Sequence, residues 1–357
     1  MRRFKVDPSA EDYQGHLSRA DLLGDLKGVV KVSPNAQSYG VPLGGGNVSH
    51  GAPLFFSILF FILQMPLFAE AAPIRVVATT EDLAAIAREI GRERVAVDFI
   101  AKGVQDPHFI EAKPSYMVKL SQADLFVQVG LELEAAWVPS LLVGARNGKI
   151  QAGAPGFVDA SKGIEALEVP TGEVDRAQGD VHLQGNPHYW LDPANGKQIA
   201  RNIAEGLKRI DPAGAADYEK NLAGFTERLD SALLRWREEM KPFAGAKVVT
   251  YHNSWPYFLK RFGLIAAGHV EPKPGIPPST AHLKALINLI PREKVKVIIM
   301  EPYFDEKTPQ FVAEKSGAKV VVLPPSVSAA TGINDIFQLF DHLISTLAGA
   351  LSGAPLK

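Results

Sequence analysis

The chain has 357 residues, enough for two domains, with 46% hydrophobic and 22% charged residues, a globular rather than disordered balance. Lysine and arginine number 38 against 39 acidic residues, a net charge of −1 that leaves no electrostatic footprint for nucleic acid. There are no cysteines, which excludes disulfides, thiolate chemistry and lipidation at an N-terminal cysteine. Any bound metal must be held by imidazole, carboxylate, carbonyl or water.

Residues 1–52 are polar and glycine-dotted, most clearly at 40–51, and are expected to be a disordered or mis-assigned extension. Leu54 to Ala69 then form an uncharged run too short for the roughly 20 residues of a bilayer crossing, followed by Ala69-Glu70-Ala71. That pattern predicts a signal peptide over 53–71, cleaved before Ala72, and hence a periplasmic protein without a lipid anchor.

From Pro73 strand and helix alternate. Strands are expected at 74–79, 95–100, 123–129, 150–152 and 157–159, and helices at 81–90, 114–122 and 131–146. A long helical stretch covers 193–241, its apolar residues recurring at three and four, with a kink or turn at Asp211-Pro212. Alternation resumes with strands at 247–251, 265–270, 295–300 and 319–323 and helices at 255–262, 280–289, 309–316 and 333–350. Continuous apolar strands alternating with helices predict parallel sheets covered on both faces. The expected organisation is an N-terminal α/β lobe (73–192), a linking helix (193–241) and a C-terminal α/β lobe (245–357), with the ligand in the crevice between lobes.

Three of the nine histidines fall at strand exits or loops facing that crevice. His108 and His188 follow prolines in Asp106-Pro107-His108 and Asn186-Pro187-His188, where proline fixes φ and lowers the entropy of holding a side chain for a ligand. His252 directly follows the strand KVVTY. A lone loop histidine is usually just a surface residue, but three in equivalent positions point to a metal.

The segments DPHFIEAKPS (106–115), ADLFVQVG (123–130), NPHYWLDP (186–193), YHNSWPYFLKRFGL (251–264) and MEPYFDEKT (300–308) resemble the cluster A-I metal receptors of ABC importers for zinc and manganese. The likeness spans nearly all of 73–350. It implies two Rossmann-like parallel-sheet lobes joined by a long rigid helix, with the metal between the lobes. It also implies that His108, His188 and His252 are ligands, that a membrane permease is the partner and that the protein is no enzyme; a monomer is expected.

The chain departs from that pattern where relatives often supply a ligating carboxylate, for here the loop reads Leu323-Pro324-Pro325-Ser326-Val327. Glu301, at the exit of VKVIIM, is the nearest alternative carboxylate, with water its competitor for the fourth position. His182, six residues before His188, is a candidate secondary ligand or hydrogen-bond partner beside a short acid-bearing loop at 172–185. Three imidazoles and one oxygen suit tetrahedral Zn²⁺, whereas Mn²⁺ prefers more oxygen ligands, so zinc is expected and manganese is the alternative. An exported zinc hydrolase is the reading from another class, weakened by the lack of HExxH. Metal binding is expected to pin the lobes, and acidification below about pH 6 to release the metal.

Overall fold

The computed structural model describes residues 72–172, 179 and 181–353. The expected extension and signal peptide, and Glu173, Asp175 and Asp180 of the acid-bearing loop, lie outside the described residues.

The first lobe runs β1 (Ile74–Thr80), α1 (Glu81–Gly91), β2 (Val95–Ala101), α2 (Pro114–Ser121), β3 (Leu125–Gln128), α3 (Val138–Ala145) and β4 (Phe157–Asp159). Two helices follow, α4 (Gly196–Ile210) and α5 (Ala215–Met240). The second lobe is β5 (Lys247–Thr250), α6 (Pro256–Phe262), β6 (Ile265–His269), α7 (Thr280–Arg292), β7 (Val297–Met300), α8 (Lys307–Ser316), β8 (Lys319–Val322) and α9 (Ile336–Ser352).

Each lobe holds a four-stranded parallel sheet, ordered β2-β1-β3-β4 in the first and β6-β5-β7-β8 in the second. The two orders are the same. In each, successive connections leave the first strand in opposite directions, so each sheet opens a crevice at the carboxyl ends of its strands. The central strands are apolar because both faces are covered: all four residues of β7 are buried.

Local signals set the helix starts. Thr80 caps α1, whose first turn carries Glu81 and Asp82; Ser279 caps α7 by accepting from His282 N, and Asp335 caps α9 by accepting from Gln338 N. The long stretch 193–241 is two helices rather than one. Asp211 divides them by accepting from Gly214 N and from the Tyr218 hydroxyl, the latter at 2.7 Å. The first of the two, α4, packs against α1 and α5. The second, α5, packs against α1 of one lobe and α9 of the other. Trp236 of α5 is fully buried, 5.3 Å from the Phe340 ring, and donates to Asp341 Oδ1 at 2.6 Å. A single apolar cluster runs from Ile86 of α1 through Phe225 and Trp236 of α5 to Phe340 of α9, so both lobes share one core.

Two expected elements differ. Helix α3 starts only at Val138, because the chain turns through positive φ at Gly130, Leu131 and Glu132. The buried Glu134 carboxylate holds that turn by accepting from Val129 N, Gly130 N and the Thr79 hydroxyl. The strand expected at 150–152 is a 3₁₀ turn, Gly148–Ile150, with Ile150 anchored in the core. Among the described residues no helix is long and apolar enough to cross a membrane.

Candidate metal centre

The carboxyl ends of the strands deliver the polar side chains to the cleft between the lobes. The loop after β2 carries Asp106 and His108, the turn after β5 carries His252, the exit of β6 leads to Glu271, and Glu301 follows β7 directly. His188 comes from the segment that leads into α4.

His108, His188 and His252 are 7%, 3% and 7% exposed, and each offers a ligand atom within 4.8 Å of the other two. Their ring centroids stand 5.0 Å (His108–His188) and 5.5 Å (His252 to each) apart. Each ring has an oxygen on its Nδ1. His108 Nδ1 is 2.7 Å from Asp106 Oδ1, His188 Nδ1 is 2.9 Å from Asn186 Oδ1, and His252 Nδ1 is 2.7 Å from Glu271 Oε2. An oxygen acceptor places the proton on Nδ1 and leaves the Nε2 lone pair bare. At His188 that Nε2 is buried without a hydrogen-bond partner, a cost that a metal ion would remove.

The two x-Pro-His turns share one geometry. Asp106 Oδ1 accepts from both the backbone N–H (3.0 Å) and the ring of His108, and Asn186 Oδ1 does the same for His188 (3.0 Å to the N–H). The orientation of the Asn186 amide follows from its Nδ2, which donates to Glu168 Oε2 at 3.0 Å and to the Asn253 carbonyl at 2.8 Å. Asp106 and Asn186 are not among the expected site residues, although their place two residues before each histidine is a readable signal. Glu271 had no such signal, since it lies 19 positions from His252 and meets it only through the pairing of β5 with β6.

Electrostatics separate the rings. Burial, reinforced by His108 and His252, pushes the His188 imidazole well below its ordinary value. Burial also acts downward on His252, but the Glu271 bond and the fields of Glu301, Glu271 and Asp106 win and raise it. Burial would raise Asp106, yet its bonds from His108 hold it below the usual carboxylate range.

The other two expected residues stand beside this set. His182 is half-buried, its ring 5.4 Å from that of His108, and burial and the neighbouring histidines push it down to about 4. Glu301 is fully buried and accepts from Trp255 Nε1 at 3.0 Å; its Oε2, near Ser254, has no hydrogen bond of good geometry. Burial pushes Glu301 up to about 7 against the pull of His252. Neither residue belongs to the group whose donor atoms lie within 4.8 Å of one another. The proline loop is held elsewhere: Pro325 O accepts from Trp190 Nε1 at 2.9 Å, and Asp82 of α1 accepts from the Ser326 hydroxyl and from Val327 N at 3.0 Å.

Paired parallel lobes, one helix packed on both and a buried histidine cluster at the strand ends define a two-lobed α/β protein with a candidate metal site in its cleft. Residues 76–350 match the model of the family described as zinc-uptake complex component A, periplasmic (ZnuA), and the chain belongs to that family. The family's periplasmic location is the one expected for this chain.

The high-affinity zinc uptake system protein ZnuA of Brucella abortus (strain 2308) is 34% identical over 164 residues, 46% of this chain and 48% of that protein. The chain thus matches about half the length of that relative. The manganese ABC transporter substrate-binding lipoprotein PsaA of Streptococcus pneumoniae is 28% identical over 276 residues, 75% of this chain and 86% of that protein. A crystal structure of ZnuA superposes with a TM-score of 0.66 at 26% identity, covering 78% of this chain and 99% of that one.

Proposed function

We propose that the protein captures a divalent transition metal, Zn²⁺ in preference to Mn²⁺, outside the inner membrane and hands it to the membrane permease of an ABC importer. It acts as a single copy and as a carrier, like the receptors of its family, without catalysis. His108, His188 and His252 bind through Nε2, and a water molecule completes a tetrahedral shell. Glu301 stays with Trp255, and His182 stands beside the site as a reserve donor.

One observation carries this reading: three buried imidazoles, each with Nδ1 engaged by an oxygen, converge with no carboxylate among them. A nitrogen-rich set favours Zn²⁺ over Mn²⁺. The likeness to the manganese lipoprotein PsaA, which covers more of the chain than the likeness to the Brucella ZnuA, keeps manganese as the second reading.

Metal analysis of protein purified without added metal, followed by competition between Zn²⁺ and Mn²⁺, tests the proposal. Zinc retained against excess manganese is the expected result; manganese displacing zinc would reverse the preference. Loss of binding in His188→Ala is expected, and unchanged affinity would remove His188 from the site.

A further inference from the structure

Three neutral imidazoles leave both charges of a bound dication uncompensated in a cleft whose ligands are nearly sealed from water. An unpaired charge in such a place is costly. The loop that follows β8, Leu323 to Val327, carries no carboxylate of its own and is bonded to Asp82 and Trp190.

Two carboxylates do reach the site, one ring away from its centre. Asp106 sits on His108 and Glu271 on His252, each at 2.7 Å. They come from matching places, since β2 and β6 are the same edge strand of two sheets with the same order. We infer that Asp106 and Glu271, one from each lobe, balance the charge of the bound metal through His108 and His252 and so supply the negative charge that the three imidazoles lack. They are positioning residues whose charge, and not only whose hydrogen bond, sets affinity.

The chain contains its own control for that distinction. Asn186 holds His188 through the same two bonds that Asp106 makes to His108, so a carboxamide suffices to orient an imidazole in this turn. A carboxylate at 106 adds charge and little else. Buried imidazole–carboxylate pairs also make the ring a stronger donor.

This inference rests on the reading of the three histidines as ligands, and the experiment separates the two. Zn²⁺ affinity is measured by competition with a chromophoric chelator for the wild type, Asp106→Asn, Glu271→Gln, the double variant, Glu301→Gln and His252→Ala. Visible spectra of the Co²⁺-loaded forms report geometry. Each single carboxamide variant should bind Zn²⁺ about 10–100-fold more weakly while keeping the tetrahedral Co²⁺ spectrum, and the double variant more weakly still. Wild-type affinity in Asp106→Asn and Glu271→Gln, with His252→Ala impaired, overturns the inference and leaves the site intact. Loss in Glu301→Gln alone also overturns it, by moving the compensating charge to Glu301. Wild-type affinity in His252→Ala overturns the site reading itself. Should Glu271→Gln fail to fold, Asp106→Asn carries the test alone, since Asn186 shows that the chain accommodates a carboxamide in that turn.

Discussion

Arg261 of α6 donates two hydrogen bonds to the Asp192 carboxylate, both at 2.7 Å, and so fastens the second lobe to the segment that enters α4. The Asp192 side chain is only 11% exposed, and its Oδ1 also accepts from Ala194 N. Removing the guanidinium leaves that largely buried carboxylate short of a partner. Arg261→Ala is expected to cost roughly 1–2 kcal/mol, discounted because the guanidinium itself is partly solvated. Urea denaturation of the metal-free protein measures it.

Arg261 is not alone in joining the lobes. Tyr257 donates to the Asn186 carbonyl and accepts from Leu167 N, at 2.8 and 2.9 Å, and Asn186 donates to the Asn253 carbonyl. These bonds involve no metal, so the lobes are joined before any metal binds. Hydrogen exchange before and after loading should therefore change mainly in the loops 102–109, 181–188 and 251–254. Uniform protection across both sheets would instead indicate closure of whole lobes.

Protons compete with the metal for Nε2, and the structure orders the competitors. His252 is raised above its ordinary value of 6.5 and protonates before His188, which burial holds well below it. Zinc affinity is thus expected to start declining above pH 6.5 and not only below pH 6. A titration of affinity from about pH 8 to pH 5 checks this. A flat profile down to pH 6 contradicts it.

Asp82 gives a pH signature to folding. Burial raises its carboxyl to about 6 despite the bonds from Ser326 and Val327. Between the unfolded value near 3.8 and this folded value the native state holds more protons, so stability from this group is greatest at low pH and falls as pH rises through about 6. Asp82→Asn should remove that slope, on the order of 2–3 kcal/mol. Denaturation midpoints at several pH values, compared between wild type and variant, isolate it.

Trp236 tests the shared core. Truncation to alanine would open a cavity between α5 and α9 and remove the indole bond to Asp341, which keeps its pairing with Arg235. A loss of about 3–5 kcal/mol is expected in chemical denaturation.

Much of this architecture could be read from the chain because buried parallel strands such as VIIM leave unbroken apolar runs, and α4 and α5 leave a three-and-four spacing. The histidines in the Pro-His turns were equally visible. What local pattern could not show were relations made by sheet pairing and lobe packing: Glu271 on His252, Asp82 under Ser326, Trp190 on Pro325. The late start of α3 was hidden because Leu131 and Glu132 are ordinary helix formers, and only Glu134 bound to the end of β3 forces the turn.

Helix α5 bears on both lobes at once, through α1 on one side and α9 on the other. A body braced in this way is expected to keep nearly the same outline on loading. Whatever must tell the two forms apart has to feel the relief of the cleft rim, a few side chains across, rather than gauge the angle between halves. On the proposed function, discrimination then becomes a matter of texture, and small changes in the rim loops would retune it without touching the three histidines.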